Sequence, residues 1–406
     1  MSTRRKILAA GVVAGAAAVI APEIAAAEGA SGLRTGYMAP IRSIRGWSTD
    51  TPFGVFPANG ATTVFPFHHF ENHRPKMEIH TLLEGTEVLP QLHRVGARQA
   101  TMTELRRVHT KGHIERMLAL SALSAGGYAD EAQVTRMMHN GHILAGLTAG
   151  GAVELARAVW KRQVKNGYAL TRPPGHHAEP DAAMGFCVYN NLAIAAADLL
   201  AGGTKRILVF DWDVHTGNGT QKAFWDDPRV VIVDMHQKFS FPPTGGHIEE
   251  RGAHNNILNV DLPPGTGHDT AMYVMEKVVL PAIRKHNPEI ILVASGFDSG
   301  NTDPLGRFMF GTDTYGEMTR MLMAAANNST CKGRIAMFHE GGYEEIGGSG
   351  YGLRVLLELS GIKLNWTSPF DQVEGWQRPG NDEEVLALHR KKVDRVAALV
   401  SQIKKV

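Results

Sequence analysis

Ile207-Leu208-Val209-Phe210-Asp211-Trp212-Asp213-Val214-His215-Thr216-Gly217-Asn218-Gly219 is the stretch that decides the fold. It opens with four continuously apolar residues. Such a run suits a strand covered on both faces, as in a parallel sheet. Comparable runs stand at Val230-Val231-Ile232-Val233, Ile290-Ile291-Leu292-Val293 and Ile335-Ala336-Met337-Phe338. Helix-length segments lie between them at 192–201, 271–285 and 315–327. Strand and helix in alternation predict an α/β fold, a single parallel-sheet domain flanked by helices.

Working outward, 77–92, 101–125 and 139–165 read as helical, the last being Ala/Gly/Val-rich from Leu144 to near Lys165. Residues 31–75 read as irregular structure at the domain's edge. Residues 382–406 carry Val385, Leu388, Val393, Val396, Leu399 and Ile403 at helical spacing. Asn381 or Asp382 would cap that helix, which is expected to pack and to do no chemistry.

The N-terminus reads differently. Arg4-Arg5-Lys6 precede an Ala-rich apolar run, and Ala25-Ala26-Ala27 precede Glu28. A basic start, an apolar middle and an A-x-A end predict a signal peptide over 1–27. The paired arginines suggest the twin-arginine route, and so an exported, periplasmic or extracytoplasmic protein. The alternative is an uncleaved membrane anchor. The body, 28–406, is then one catalytic domain of nearly neutral charge. The whole chain has 406 residues and a net charge of only +2, which argues against nucleic acid or an anionic membrane as partner. Its two cysteines are too few for a disulfide scaffold or a four-cysteine zinc site. A homo-oligomer remains open.

In open α/β sheets ligands bind beyond the carboxyl ends of the strands. The residues just beyond each apolar run are therefore informative. After Phe210 come Asp211, Asp213 and His215 at period two, which point the same way in an extended segment. After Val293 comes Gly296-Phe297-Asp298. After Phe338 comes His339-Glu340-Gly341-Gly342-Tyr343. Buried charges are costly unless paired or metal-bound. Asp213, His215 and Asp298 would make a three-ligand metal site with an open position, the catalytic type for zinc. The adjacent pair His176-His177 could serve as general base and general acid. Asp211 and Asn218 are the available partners for their second ring nitrogens. Tyr343, after two glycines, could donate a hydrogen bond to a polarised carbonyl oxygen, or simply be a packed aromatic. His68, His69, His73, His109 and His113 form no ligand pattern and read as surface or core-edge histidines. Cys187 reads as a small apolar filler.

Taken together, Arg172-Pro173-Pro174-Gly175-His176-His177-Ala178, Gly185-Phe186-Cys187, Asp211-Trp212-Asp213-Val214-His215, Gly217-Asn218-Gly219-Thr220-Gln221, Gly296-Phe297-Asp298 with Asp303-Pro304-Leu305-Gly306, and Glu340-Gly341-Gly342-Tyr343 resemble the class II histone deacetylases. They equally resemble bacterial acetylpolyamine amidohydrolases and histone-deacetylase-like amidohydrolases. The likeness runs in the family's order from about Phe70 to Gly361. It implies the arginase/deacetylase fold and one Zn²⁺ held by Asp213, His215 and Asp298, with Fe²⁺ as an alternative ion. It implies that Asp211 backs His176 and Asn218 backs His177, with His177 the base. It puts Tyr343 on the substrate carbonyl and Gly185 and Phe186 in an acyl-lysine tunnel wall, faced by Phe239 or Phe241. The same likeness implies a structural K⁺ on backbone oxygens around 211–215 and 234–235. The implied activity is hydrolysis of an N-acylated amine: an acyl-lysine, an acetylpolyamine or a related small amide. An arginase-like two-metal hydrolase shares the fold, but the histidine comes third in Asp211-x-Asp213-x-His215 and no second-metal carboxylates are evident. A non-catalytic acyl-amine binding protein is the contrasting class. Two departures bear on substrate preference: Thr216, where relatives carry histidine, and Ser299-Gly300-Asn301-Thr302, where they begin Ala-His.

Overall fold

A computed structural model describes residues 32–47, 55–58, 61–64, 69–364 and 382–404. The leader read at 1–27 and His68 lie outside the described residues.

The strands are β1 (Gly36–Met38), β2 (Val55–Ala58), β3 (Ala61–Val64), β4 (His93–Arg94), β5 (Gly127–Tyr128), β6 (Arg136–Met137), β7 (Gly167–Ala169), β8 (Ile207–Asp211), β9 (Val230–Gln237), β10 (Ile257–Leu262), β11 (Ile290–Ser295) and β12 (Ile335–His339). The helices are α1 (Ile41–Gly46), α2 (Arg74–Gly85), α3 (Met102–Leu105), α4 (Lys111–Ala122), α5 (Gly141–Trp160), α6 (Asn191–Ala201), α7 (Asn218–Ala223), α8 (His268–Val274), α9 (Leu280–His286), α10 (Thr312–Asn327), α11 (Glu345–Ser360) and α12 (Glu383–Val400).

Eight strands form one sheet in the order β10-β9-β8-β11-β12-β7-β1-β4. Every neighbouring pair in it is parallel. β2–β3 and β5–β6 are small antiparallel hairpins outside it. Alternate residues of each central strand enter different cores. Leu208, Phe210, Val231, Val233, Ile291 and Val293 join α8 to α12 on one face. Ile207, Val209, Val230, Ile232, Ile290 and Leu292 join α5 and α6 on the other. That two-sided burial is why these strands read as unbroken apolar runs. It also explains α5, which is long and apolar enough to cross a membrane but is a buried core helix.

Residues 31–75 are not simply irregular edge, as expected from sequence. β1 sits inside the sheet, paired to β7 on one side and β4 on the other. Tyr37 and Met38 are both fully buried, and they enter opposite cores. Three residues led by a glycine carry too little pattern to be read as a strand. The helix expected from Leu144 to near Lys165 runs instead from Gly141 to Trp160, and Asp382 rather than Asn381 caps α12, its Oδ1 accepting from the Val385 N–H at 3.0 Å.

The chain runs β8, β9, β10 outward and then returns to β11 on the other side of β8. The direction of winding therefore reverses between β8 and β11. A crevice opens there at the carboxyl ends, where ligands of such sheets bind.

Candidate metal centre and active site

Asp213 follows β8 and Asp298 follows β11, so the reversal brings together two carboxylates 85 residues apart. His215 lies between them, its Nδ1 3.1 Å from Asp213 Oδ1 and 3.1 Å from Asp298 Oδ2. The ligand atoms of the three residues lie within 4.8 Å of one another, and all three are buried. Among the described residues no other group of three such side chains converges in this way. Burial first, and then the Asp213 charge, push the Asp298 carboxyl up to about 7. Two carboxylates this close and this dry repel unless a cation lies between them. One nitrogen and two carboxylate groups are a donor set that zinc accepts. The loops around them hold the carboxylates still. Asp298 Oδ1 accepts from the Val214 N–H at 2.9 Å, and Asp213 Oδ2 accepts from the Gly341 N–H at 2.8 Å. A Cβ on Gly341 would overlap Asp298 Oδ2 and crowd Asp213 Oδ2, so only glycine fits there.

His176 and His177 lie beyond β7, their rings 4.1 Å apart. His176 Nδ1 lies 3.0 Å from Asp211 Oδ2, and its Nε2 lies 3.7 Å from Asp213 Oδ1. His177 Nδ1 lies 2.8 Å from Asn218 Oδ1. The neighbours make the two rings unlike. Burial disfavours a charge on His176, but Asp213 and Asp211 outweigh it and hold its pKa well above the usual value. Burial and the charges of His176 and His215 drive that of His177 well below. The surroundings thus favour the cation on His176 and the neutral ring on His177.

Gly185 and Phe186 form a two-residue turn, closed by reciprocal hydrogen bonds between Met184 and Cys187 at 2.8 and 3.1 Å. Both centres have positive φ, +52° and +70°, as a tight hairpin turn of this length requires. A Cβ on Gly185 would strike His177 and the Phe241 ring. Phe186 is held in its strained conformation by a hydrogen bond from its N–H to Thr135 Oγ1 at 2.9 Å. Its ring meets Tyr343 edge-on at 5.7 Å and His69 at 5.1 Å. Phe241 stands over His177 at 5.0 Å, whereas Phe239 is 89% exposed. Tyr343 follows β12, and its backbone N–H donates to Asp303 Oδ2 at 2.7 Å. Burial and the charges of Asp298 and Asp213 raise its hydroxyl pKa, so it stays a donor.

The histone deacetylase domain model matches residues 68–351 of this chain. The chain belongs to the histone deacetylase family. The deacetylase-like chain is 38% identical over 316 residues to the histone deacetylase-like amidohydrolase of Pseudomonas aeruginosa, covering 77% of this chain and 82% of that protein. It is 34% identical over 271 residues to a probable deacetylase of Archaeoglobus fulgidus, covering 66% and 74%. The crystal structure of the HDA15 HD domain aligns with a TM-score of 0.73 and 28% identity over 91% of this chain and 99% of that one. The arginase/deacetylase fold and the family expected from the motifs both hold. The family's members are hydrolases that remove acyl groups from amines.

Every site residue named from the deacetylase motifs lies on one rim of the sheet or in a loop beside it, and the alternative of Phe239 facing the tunnel wall is set aside in favour of Phe241. Thr216 is buried beside Gly246, in the wall of a neighbouring cavity. The histidine readings need correction. His109 and His113 are buried loop staples, neither surface nor edge. His109 Nδ1 lies 3.0 Å from Glu179 O while its Nε2 accepts from the Asn190 N–H at 2.9 Å. His113 Nε2 lies 2.9 Å from Val188 O. His69 is buried against Phe186. Sequence reading also missed three supports. Glu340 Oε2 accepts from the Gly175 and His176 N–H groups at 2.6 and 3.0 Å, fixing the backbone of the histidine pair. Arg172 is fully buried against Glu71 at 2.8 Å, with Lys76 3.6 Å from the same carboxylate oxygen. Glu179 contacts Asn218 at 2.7 Å. The arginine that opens the Arg172–His177 motif was the one signal available for the second of these. Cys187 and Cys331 are both buried and free.

Proposed function

We propose that this chain hydrolyses the amide of an N-acylated amine, an acyl-lysine, acetylpolyamine or related small amide, at a metal site formed by Asp213, His215 and Asp298. The observation that carries this reading is the unlike histidine pair beside the three-ligand cluster, one ring backed by Asp211 and the other by Asn218. A bound zinc would act as a Lewis acid and lower the pKa of water from 15.7 to about 7. His177 takes the proton of the attacking water at Nε2 and later returns it to the leaving amine. His176 stays cationic and stabilises negative charge as it develops. Tyr343 donates its hydroxyl hydrogen to the oxyanion. Gly185, Phe186 and Phe241 line the passage for an extended acyl-amine stem. Export through the leader at 1–27 would put histones out of reach and favours small or peptidic substrates outside the cytoplasm. A structural K⁺ on the backbone around 211–215 and 234–235 belongs to the same reading.

The test is metal content and turnover on one full-length preparation. Acetyl-lysine peptides, acetylpolyamines and trifluoroacetyl-lysine are assayed with and without chelator. One zinc per chain and chelator-sensitive deacylation is the expected result. A preparation with no stoichiometric metal overturns the assignment.

A further inference from the structure

Asn218 does more than touch His177. Its Oδ1 faces His177 Nδ1 at 2.8 Å, and its Nδ2 faces Glu179 Oε1 at 2.7 Å. The other oxygen of Glu179 meets Lys222 Nζ at 2.5 Å. Asn218 and Lys222 are four residues apart on α7, so they present neighbouring groups to Glu179 from one helix face. Glu179 itself is buried, and its loop is fixed by His109 on its carbonyl and by its own N–H on Ala182 O at 2.9 Å.

A side-chain amide is nearly symmetric in shape and can sit either way round. An ionised carboxylate only accepts, so the amide nitrogen must face Glu179. The amide oxygen must then face His177, which must donate from Nδ1. That leaves the lone pair on Nε2, in a ring whose centre lies 5.8 Å from that of His215. The reversed amide would set oxygen against carboxylate at 2.7 Å. It would also offer His177 a donor, which selects the opposite tautomer. We propose that Glu179, ion-paired with Lys222, is a positioning residue that selects the His177 tautomer by orienting the Asn218 amide. This rests on the reading of His177 as the base.

The experiment exchanges the amide and the carboxylate between the two positions in the full chain as purified. In Glu179→Gln the new amide can present either end, so the orientation is no longer dictated. In Asn218→Asp two carboxylates confront each other. Each single change is expected to lower kcat by about 10–100-fold with little change in KM, the usual range for an outer partner. In Glu179→Gln, ¹⁵N spectra of labelled histidine should show His177 divided between tautomers. The double variant, Glu179→Gln with Asn218→Asp, restores a donor facing an acceptor and returns an oxygen to His177. It should recover most of the lost kcat, and the recovery excludes misfolding as the cause of the losses. Unchanged His177 nitrogens in Glu179→Gln overturn the proposal, as does a double variant no better than the singles. Divided tautomers with unchanged turnover would support the positioning and overturn the role of His177 as base, so the two failures are distinct.

Discussion

Two histidines adjacent in sequence become chemically unlike because each has its own partner. A carboxylate behind His176 favours its cation, and a neutral amide behind His177 does not. The same economy applies at Tyr343, whose hydroxyl remains protonated because burial and two nearby carboxylates resist its ionisation. Tyr343→Phe is therefore expected to leave metal content unchanged and to lower kcat by about 10²–10³, as for loss of one oxyanion donor. Steady-state kinetics with metal analysis on the same sample checks it; unaltered turnover would remove Tyr343 from the mechanism. Gly341 acts without a side chain. Gly341→Ala places a methyl against both metal-site carboxylates, and metal affinity is expected to fall by about 10–100-fold in competition with a chromogenic chelator.

At the scale of elements, the site is built from strand ends but secured by loops. The loop between the histidine pair and α6 is stapled by His109, whose two ring nitrogens face Glu179 O and the Asn190 N–H. Burial, then the neighbouring His113, push its pKa down to about 3. The folded protein therefore binds fewer protons here than the unfolded chain between that value and about 6.5. The resulting stability is intact above about pH 6.5 and declines as pH falls below it. At pH 5 the loss reaches about 2 kcal/mol. Urea unfolding at pH 7 and pH 5 should show that part of the loss missing in His109→Gln; equal losses in both proteins would clear His109. Much of this level was legible beforehand. β8, β9, β11 and β12 announce themselves because both their faces are covered. β1, β4 and β7 do not, since two or three residues carry no period, and β1 and β7 each open on a glycine. β10 was hidden by Asn259 and Asp261, polar residues that interrupt its apolar run and bond to neighbouring loops or to α12. The metal-site residues and Tyr343 were legible because they follow readable strands, and the histidine pair because its two members are adjacent in the sequence. Glu179, Glu340 and the Glu71–Arg172 pair were not, because their importance lies in contacts made across more than thirty residues of sequence.

Across the whole molecule, one sheet separates two cores and carries its chemistry along a single rim. Its two edges are finished differently. β4 is only two residues long and charged at Arg94. β10 is six residues long, and α12 packs over it with Val393, Val396 and Val400 buried, as is Ile403 just beyond the helix. Lys392 of that helix donates to the Asp261 carbonyl at 2.7 Å. Each buried aliphatic side chain contributes about 1.5–3 kcal/mol. Deleting 382–406 should lower the melting temperature and produce concentration-dependent light scattering; a shortened protein that stays monodisperse would show that the edge needs no cover. The protection also has an order in time. The long edge of the sheet exists as soon as β10 is made, yet its cover is encoded more than a hundred residues later. Until α12 docks, a nascent or refolding chain carries an open strand able to pair with another copy. Refolding yield should thus be limited by how quickly this last helix arrives, not by assembly of the catalytic rim.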